Sequence, residues 1–201
     1  MNKVLKSFSY IFHPLIMPLL GVIFYFIKTP RFVPFEIIRA KVISLLILTF
    51  ILPLLLYLLL KTIGLVKSIH LQTTKERIYP LILNSIIIVI VLQRILTPSQ
   101  SIELYFFFIG ILISNLTCLL IAIMRFKASI HMIAISGLFM FFIALSIHFS
   151  ININITLALI AIIMGAVATS RLHLKAHTHI ELLMGIFIGF VPQLVLITYW
   201  L

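Results

Sequence analysis

The chain has 201 residues, 63% hydrophobic and 9% charged, a composition outside the range of soluble domains. Fifteen Lys and Arg stand against four Glu and no Asp, a formal charge of +11 at pH 7, so an anionic partner is expected. Acidic headgroups and membrane topology account for part of that balance, and nucleic acid is not expected because no soluble domain or aromatic, basic stacking surface exists to carry it.

The length and composition predict one integral membrane domain over residues 1–201, an all-α polytopic transmembrane bundle of six to seven spans. The lone Cys118 lies in an apolar run and serves neither a disulfide nor a cysteine metal site. The first span is expected from about Phe8 to Ile27. It is read as retained rather than cleaved, because no small-residue cleavage site follows and the first Ala is Ala40. Pro14 and Pro18 predict a kink or a late helix start, and His13 is assigned to the interface. A loop over Lys28 to Lys41 precedes a second span from about Val42 to Leu60, bent by Pro53.

The connection Lys61 to Tyr79 is the longest polar stretch and carries Lys61, Lys67, His70, Lys75, Glu76 and Arg77. Pro80 is expected to open the third span, which runs to about Leu96. The fourth covers about Leu104 to Met124, and the fifth follows a basic turn, Arg125 to Ser129, and ends near Phe149. The sixth ends at Thr169, and the seventh runs from about Ile180 to the terminus with Tyr199 and Trp200 as an interfacial anchor. Asn84, Gln93 and Asn115 within spans are expected to join helices. His148, seventeen residues beyond His131, belongs near the opposite face as a structural residue.

Between the last two apolar runs stands Ser170-Arg171-Leu-His173-Leu-Lys175-Ala-His177-Thr-His179-Ile-Glu181, with three of the seven histidines and one of the four acids. His177 and Glu181 are four residues apart, one helical turn, so the carboxylate can fix the imidazole tautomer. Arg171 offers a planar fork of donors suited to phosphate or carboxylate. Span parity puts this stretch, the 61–79 connection and the 125–131 turn on one side of the membrane, where three basic segments can converge on one anionic group.

The spacing Ser170-Arg171, five residues, His177, three residues, then an acid resembles the third motif of the type 2 phosphatidic acid phosphatase and haloperoxidase superfamily, with Glu181 where the family has Asp. Lys127-Ala128-Ser129-Ile130-His131 is similar to its Pro-Ser-Gly-His motif, with Ser and His kept. Lys75-Glu76-Arg77-Ile78-Tyr79-Pro80 looks like a degenerate first motif, in which Gln72 takes the place of the family lysine. The resemblance spans residues 67–190 and implies a membrane phosphatase that needs no metal or other cofactor. It implies His177 as nucleophile, Glu181 orienting it and His131 as general acid then base. Arg171, Arg77, Lys75, Ser129 and Ser170 would bind the phosphate. The partner it implies is a phosphorylated or pyrophosphorylated lipid, such as phosphatidate, phosphatidylglycerophosphate or an isoprenyl pyrophosphate, in the bacterial inner (plasma) membrane. The oligomeric state stays open, a homo-oligomer included.

Three other readings share these residues. His173, His177, His179 and Glu181 have metal-ligand character, a relative of the same fold can bind lipid phosphate without catalysis, and a transporter would use ionisable residues along a path. Ten Lys and Arg fall on the site side and five on the other, which places the site in the cytoplasm. Setting aside Lys75, Arg77, Lys127 and Arg171, which a phosphate also accounts for, leaves six against five, so charge alone does not fix the orientation.

Overall fold

The computed structural model describes residues 11–67 and 73–201. Seven helices appear there and no strand. They are α1 (Met17–Lys28), α2 (Phe35–Thr62), α3 (Thr74–Arg94), α4 (Ile102–Ile123), α5 (Ile130–His148), α6 (Asn154–His173) and α7 (His179–Leu196). All but α1 are long and apolar enough to cross a membrane, making the chain an all-α polytopic bundle and an integral membrane protein. Even with the 3-10 turn Pro14–Ile16 that precedes it, α1 is only about 22 Å long, short of the roughly 30 Å hydrocarbon core.

Prolines place several boundaries away from where hydropathy puts them. Pro14 opens a 3-10 turn, and Pro18 sits in the first turn of α1 that follows it. The expected loop from Lys28 to Lys41 is confined to Thr29–Pro34, because Pro34 is the N-cap of α2 and Arg39 and Lys41 are already helical. Pro53 lies inside α2, two residues beyond a π segment, Ile47–Ile51, which absorbs the bond the proline cannot donate.

Pro80 does not open the third span. Helix α3 begins two turns earlier, at Thr74, with the Thr73 side chain accepting from the Glu76 amide at 3.3 Å. A cap at Thr73 outweighs the missing proline donor, so Arg77 sits on the first turn of a helix and not in a loop. Likewise α6 continues past Thr169 to His173, which makes Ser170 and Arg171 helical. His70 and Gln72, with Lys3 and Lys6, lie outside the described residues.

Helices α5 and α7 form the tightest seam. Gly185 and Gly189, four residues apart, let the backbones approach as small residues do between membrane helices. A Cβ on Gly185 would stand 2.7 Å from the Ser129 carbonyl, and one on Gly189 would overlap the Ile133 carbonyl and the Ser136 hydroxyl. Helices α3 and α4 are joined through Asn115, which donates to the Leu81 carbonyl at 2.8 Å and the Ser85 hydroxyl at 2.7 Å, with Asn84 donating to it at 3.3 Å. Gln93, assigned the same role, is exposed.

Stacked rings fill the middle, Phe107 on Phe141 at 4.1 Å and Phe24 on Phe142 at 3.9 Å. Trp200 is buried against Phe141 and His148 and is not an interfacial anchor, because the chain turns inward after α7; Tyr199 remains exposed.

One end of the bundle is closed by Glu103, fully buried in the first turn of α4. It accepts from Tyr25 at 3.0 Å and pairs with Arg31 at 2.7 Å and His148 at 3.1 Å. His148 therefore lies away from His131 and holds structure, as expected. The cations Arg77, Lys127 and Arg171 gather elsewhere.

The seam gives a paired test. Gly189→Ala should lower stability by about 1–3 kcal/mol, the usual range for overpacking, in thermal unfolding of the purified protein in detergent. Gly165→Ala, in α6 with open space around its Cα, should be neutral or stabilise by up to about 1 kcal/mol.

Candidate functional site

Two turns bring the site together. Arg125 and Lys175 adopt positive φ, 65° and 49°, and end α4 and α6. In each case the next amide reaches back five residues, Phe126 to the Ile121 carbonyl at 2.9 Å and Ala176 to the Arg171 carbonyl at 3.0 Å, satisfying orphan carbonyls of the last turn. The two following segments then meet. Lys127 Nζ donates to the Ala176 carbonyl at 2.9 Å, and the Ser129 amide donates to the Glu181 carbonyl at 3.0 Å. From α3, Arg77 Nη1 donates to the Ala128 carbonyl at 2.5 Å.

Helix α7 opens on a capping box: the Thr178 hydroxyl accepts from the Glu181 amide, and the Glu181 carboxylate accepts from the Thr178 amide, both at 3.3 Å. The same carboxylate oxygen lies 2.6 Å from His177 Nδ1. Glu181 is therefore fixed from both sides, and a Glu at this helix position suits the box.

The ring of His177 is buried, and its pKa is pushed down to about 3, first by burial, then by Arg77, Lys127 and Arg171, with the Lys127 carbonyl acting weakly the other way. A neutral imidazole has one N–H; placed on Nδ1 it donates to the Glu181 carboxylate, and the lone pair is then on Nε2. Burial, followed by Arg77, also lowers the pKa of Lys127, against Glu181. Cations outnumber acids here, since Arg77, Lys127 and Arg171 surround one carboxylate.

Arg77, Arg171, His177 and His131 line one end of a cavity of about 410 Å³. The rest of its wall is mostly apolar, supplied by α1 to α5 with residues such as Phe50, Leu54, Ile87 and Phe108. Its size lies within the range of small-molecule sites. Three buried polar atoms at or near it make no hydrogen bond to any of the described residues: Arg171 Nε, Ser129 Oγ and Tyr57 Oη. Such groups cost free energy unless something pairs with them.

Of the expected residues, Arg77, Ser129, Arg171, His177 and Glu181 come together, Ser170 is fully buried beside Arg171, and His131 faces the same cavity. Lys75 does not join them. It is exposed on the outer side of the first turn of α3, two residues from Arg77 and so pointing away, and Lys127 supplies the amine instead. His173 and His179 are exposed, and no three metal-ligating side chains cluster among the described residues; the turn at Lys175 breaks the helical spacing that would have paired His173 with His177.

Two lining residues escaped the sequence reading. His13 borders the cavity and lies edge-on to His131, ring centroids 5.7 Å apart, a long-range contact without a local sequence signal. Tyr57 gave no signal beyond being one more aromatic in an apolar run. Compared with models of protein families, with curated proteins and with solved structures, the chain matches none.

The lowered pKa of His177 sets a pH dependence. An unfolded histidine takes its proton near pH 6.5 and the folded one only near 3, so below about 6.5 the unfolded state binds more protons. Stability should fall as pH drops from about 6.5 to 3, by up to about 1.4 kcal/mol per unit, and then level off. Unfolding midpoints across that range should show the slope in the wild type and a flatter profile in His177→Asn.

Proposed function

We propose that this protein is a membrane-embedded phosphatase that hydrolyses a lipid phosphate or pyrophosphate through a phosphohistidine on His177. The observation that carries the reading is the single cavity with a cationic end and a long apolar wall, the shape of an anionic headgroup joined to a lipid tail. Burying an ionised side chain well inside a bilayer costs about 2.5–3.5 kcal/mol on insertion scales, and several together repel. An anion among Arg77, Lys127 and Arg171 relieves that repulsion and pairs the orphan donors on Arg171 and Ser129.

In the proposed reaction the neutral ring keeps its proton on Nδ1, where it donates to Glu181, and the Nε2 lone pair attacks phosphorus. Attack places positive charge on the imidazole, which the Glu181 carboxylate stabilises. His131 gives a proton to the departing oxygen as its bond to phosphorus breaks. It then takes one from the incoming water as the new P–O bond forms and the P–N bond breaks. Arg77, Arg171 and Lys127 hold the non-bridging oxygens, where charge redistributes in the transition state, with Ser129 and Ser170 beside them. Lys127 fills the role that the resemblance gives to Lys75.

The test is phosphate release from a panel of lipid phosphates and pyrophosphates by the purified protein. The wild type should hydrolyse at least one. His177→Ala should abolish release, Arg171→Ala should lower it by at least about a hundredfold, and Lys75→Ala should leave it within about twofold. Glu181→Gln keeps the helix cap and removes the charge, so it should lower kcat with little loss of stability. Binding without release by the wild type would identify a non-catalytic lipid-phosphate binder, and full turnover by His177→Ala would exclude this nucleophile.

A further inference from the structure

His13 is the N-cap of the 3-10 turn Pro14–Ile16, and its Nδ1 accepts from the Leu15 amide at 3.4 Å. That bond leaves the proton of the neutral ring on Nε2. The turn packs against α5 and the π segment of α2, so the ring is half-buried and faces into the cavity, not into water. Across from it stands His131, with centroids 5.7 Å apart and ring planes at 78°. In this perpendicular arrangement the positive edge of one ring meets the negative face of the other. The same cavity holds Arg77, Arg171 and His177, and the phenol of Tyr57.

We propose that His13 is a positioning residue for His131, the two imidazoles acting as one pair that carries a single proton in the cavity. Two imidazolium rings at this distance, beside two arginines, repel each other, so a second proton on the pair is disfavoured. The pair shares one proton between its two rings. It delivers that proton through His131 to an oxygen of the bound group, and His13 holds the ring of His131 edge-on throughout. Delivery to a phosphate ester oxygen rests on the phosphatase reading; the coupling of the two rings does not.

Two measurements on the full-length protein in detergent separate these. In NMR of isotope-labelled histidine, His13 should titrate in a broadened or two-step curve in the wild type and in a simple one-site curve in His131→Phe. In phosphate release, His13→Phe keeps a flat ring and removes the proton, so it should move the acid limb of the kcat/KM profile by about one pH unit and change KM less than twofold. Identical His13 titrations in the two proteins would overturn the proposal, as would an unmoved acid limb in an active His13→Phe. A wild type without phosphatase activity that still shows the coupled titration would sink the phosphatase reading and leave the histidine pair standing.

Discussion

One carboxylate ties the site to the fold. Glu181 closes the cap of α7, holds the Nδ1 of His177 and, through its backbone carbonyl, receives the amide of Ser129. The last bond requires the two backbones to approach closely, which the glycines of α7 allow. The orientation of the imidazole, the start of a helix and the seam between α5 and α7 thus share a single residue. A side chain held by several partners is preorganised, and in a catalytic constellation tenths of an ångström matter.

The two ends of the bundle solve opposite electrostatic problems. At one end Glu103 gathers Tyr25, Arg31 and His148, so charge is matched inside the protein. At the other, Arg77, Lys127 and Arg171 outnumber Glu181, and burial followed by this excess positive charge lowers the pKa of His177. The first end reads as structure and the second as a place for an anion. An anion there would also lessen the repulsion felt by the ring, so binding and imidazole protonation are linked. The apolar wall continuing from that end is what the proposed lipid tail would lie against.

Much of this was legible in the sequence because apolar runs of about twenty residues leave few alternatives to helices. Parity then placed the Arg77, Ser129 and His177 segments on one side before any coordinates. The misplaced boundaries were those where hydropathy competes with backbone chemistry: Thr73 caps a helix two turns ahead of Pro80, and Pro34 starts one inside a stretch read as loop. Lys75 and Arg77 looked equivalent in sequence, but a helical turn sends one outward and the other in. His13 was lost for the reverse reason, since its place beside His131 depends on a long-range contact that no local pattern encodes.

The central claim, that three distant segments form one seat for a phosphoryl group, is tested most directly by locating a phosphate mimic. Crystals soaked with tungstate, read by anomalous diffraction, should show the ion among Arg77, Lys127 and Arg171 with an oxygen near Nε2 of His177, and the peak should vanish in Arg171→Ala. Tungstate bound at another place, or absent from this one at saturating concentration, would contradict the account.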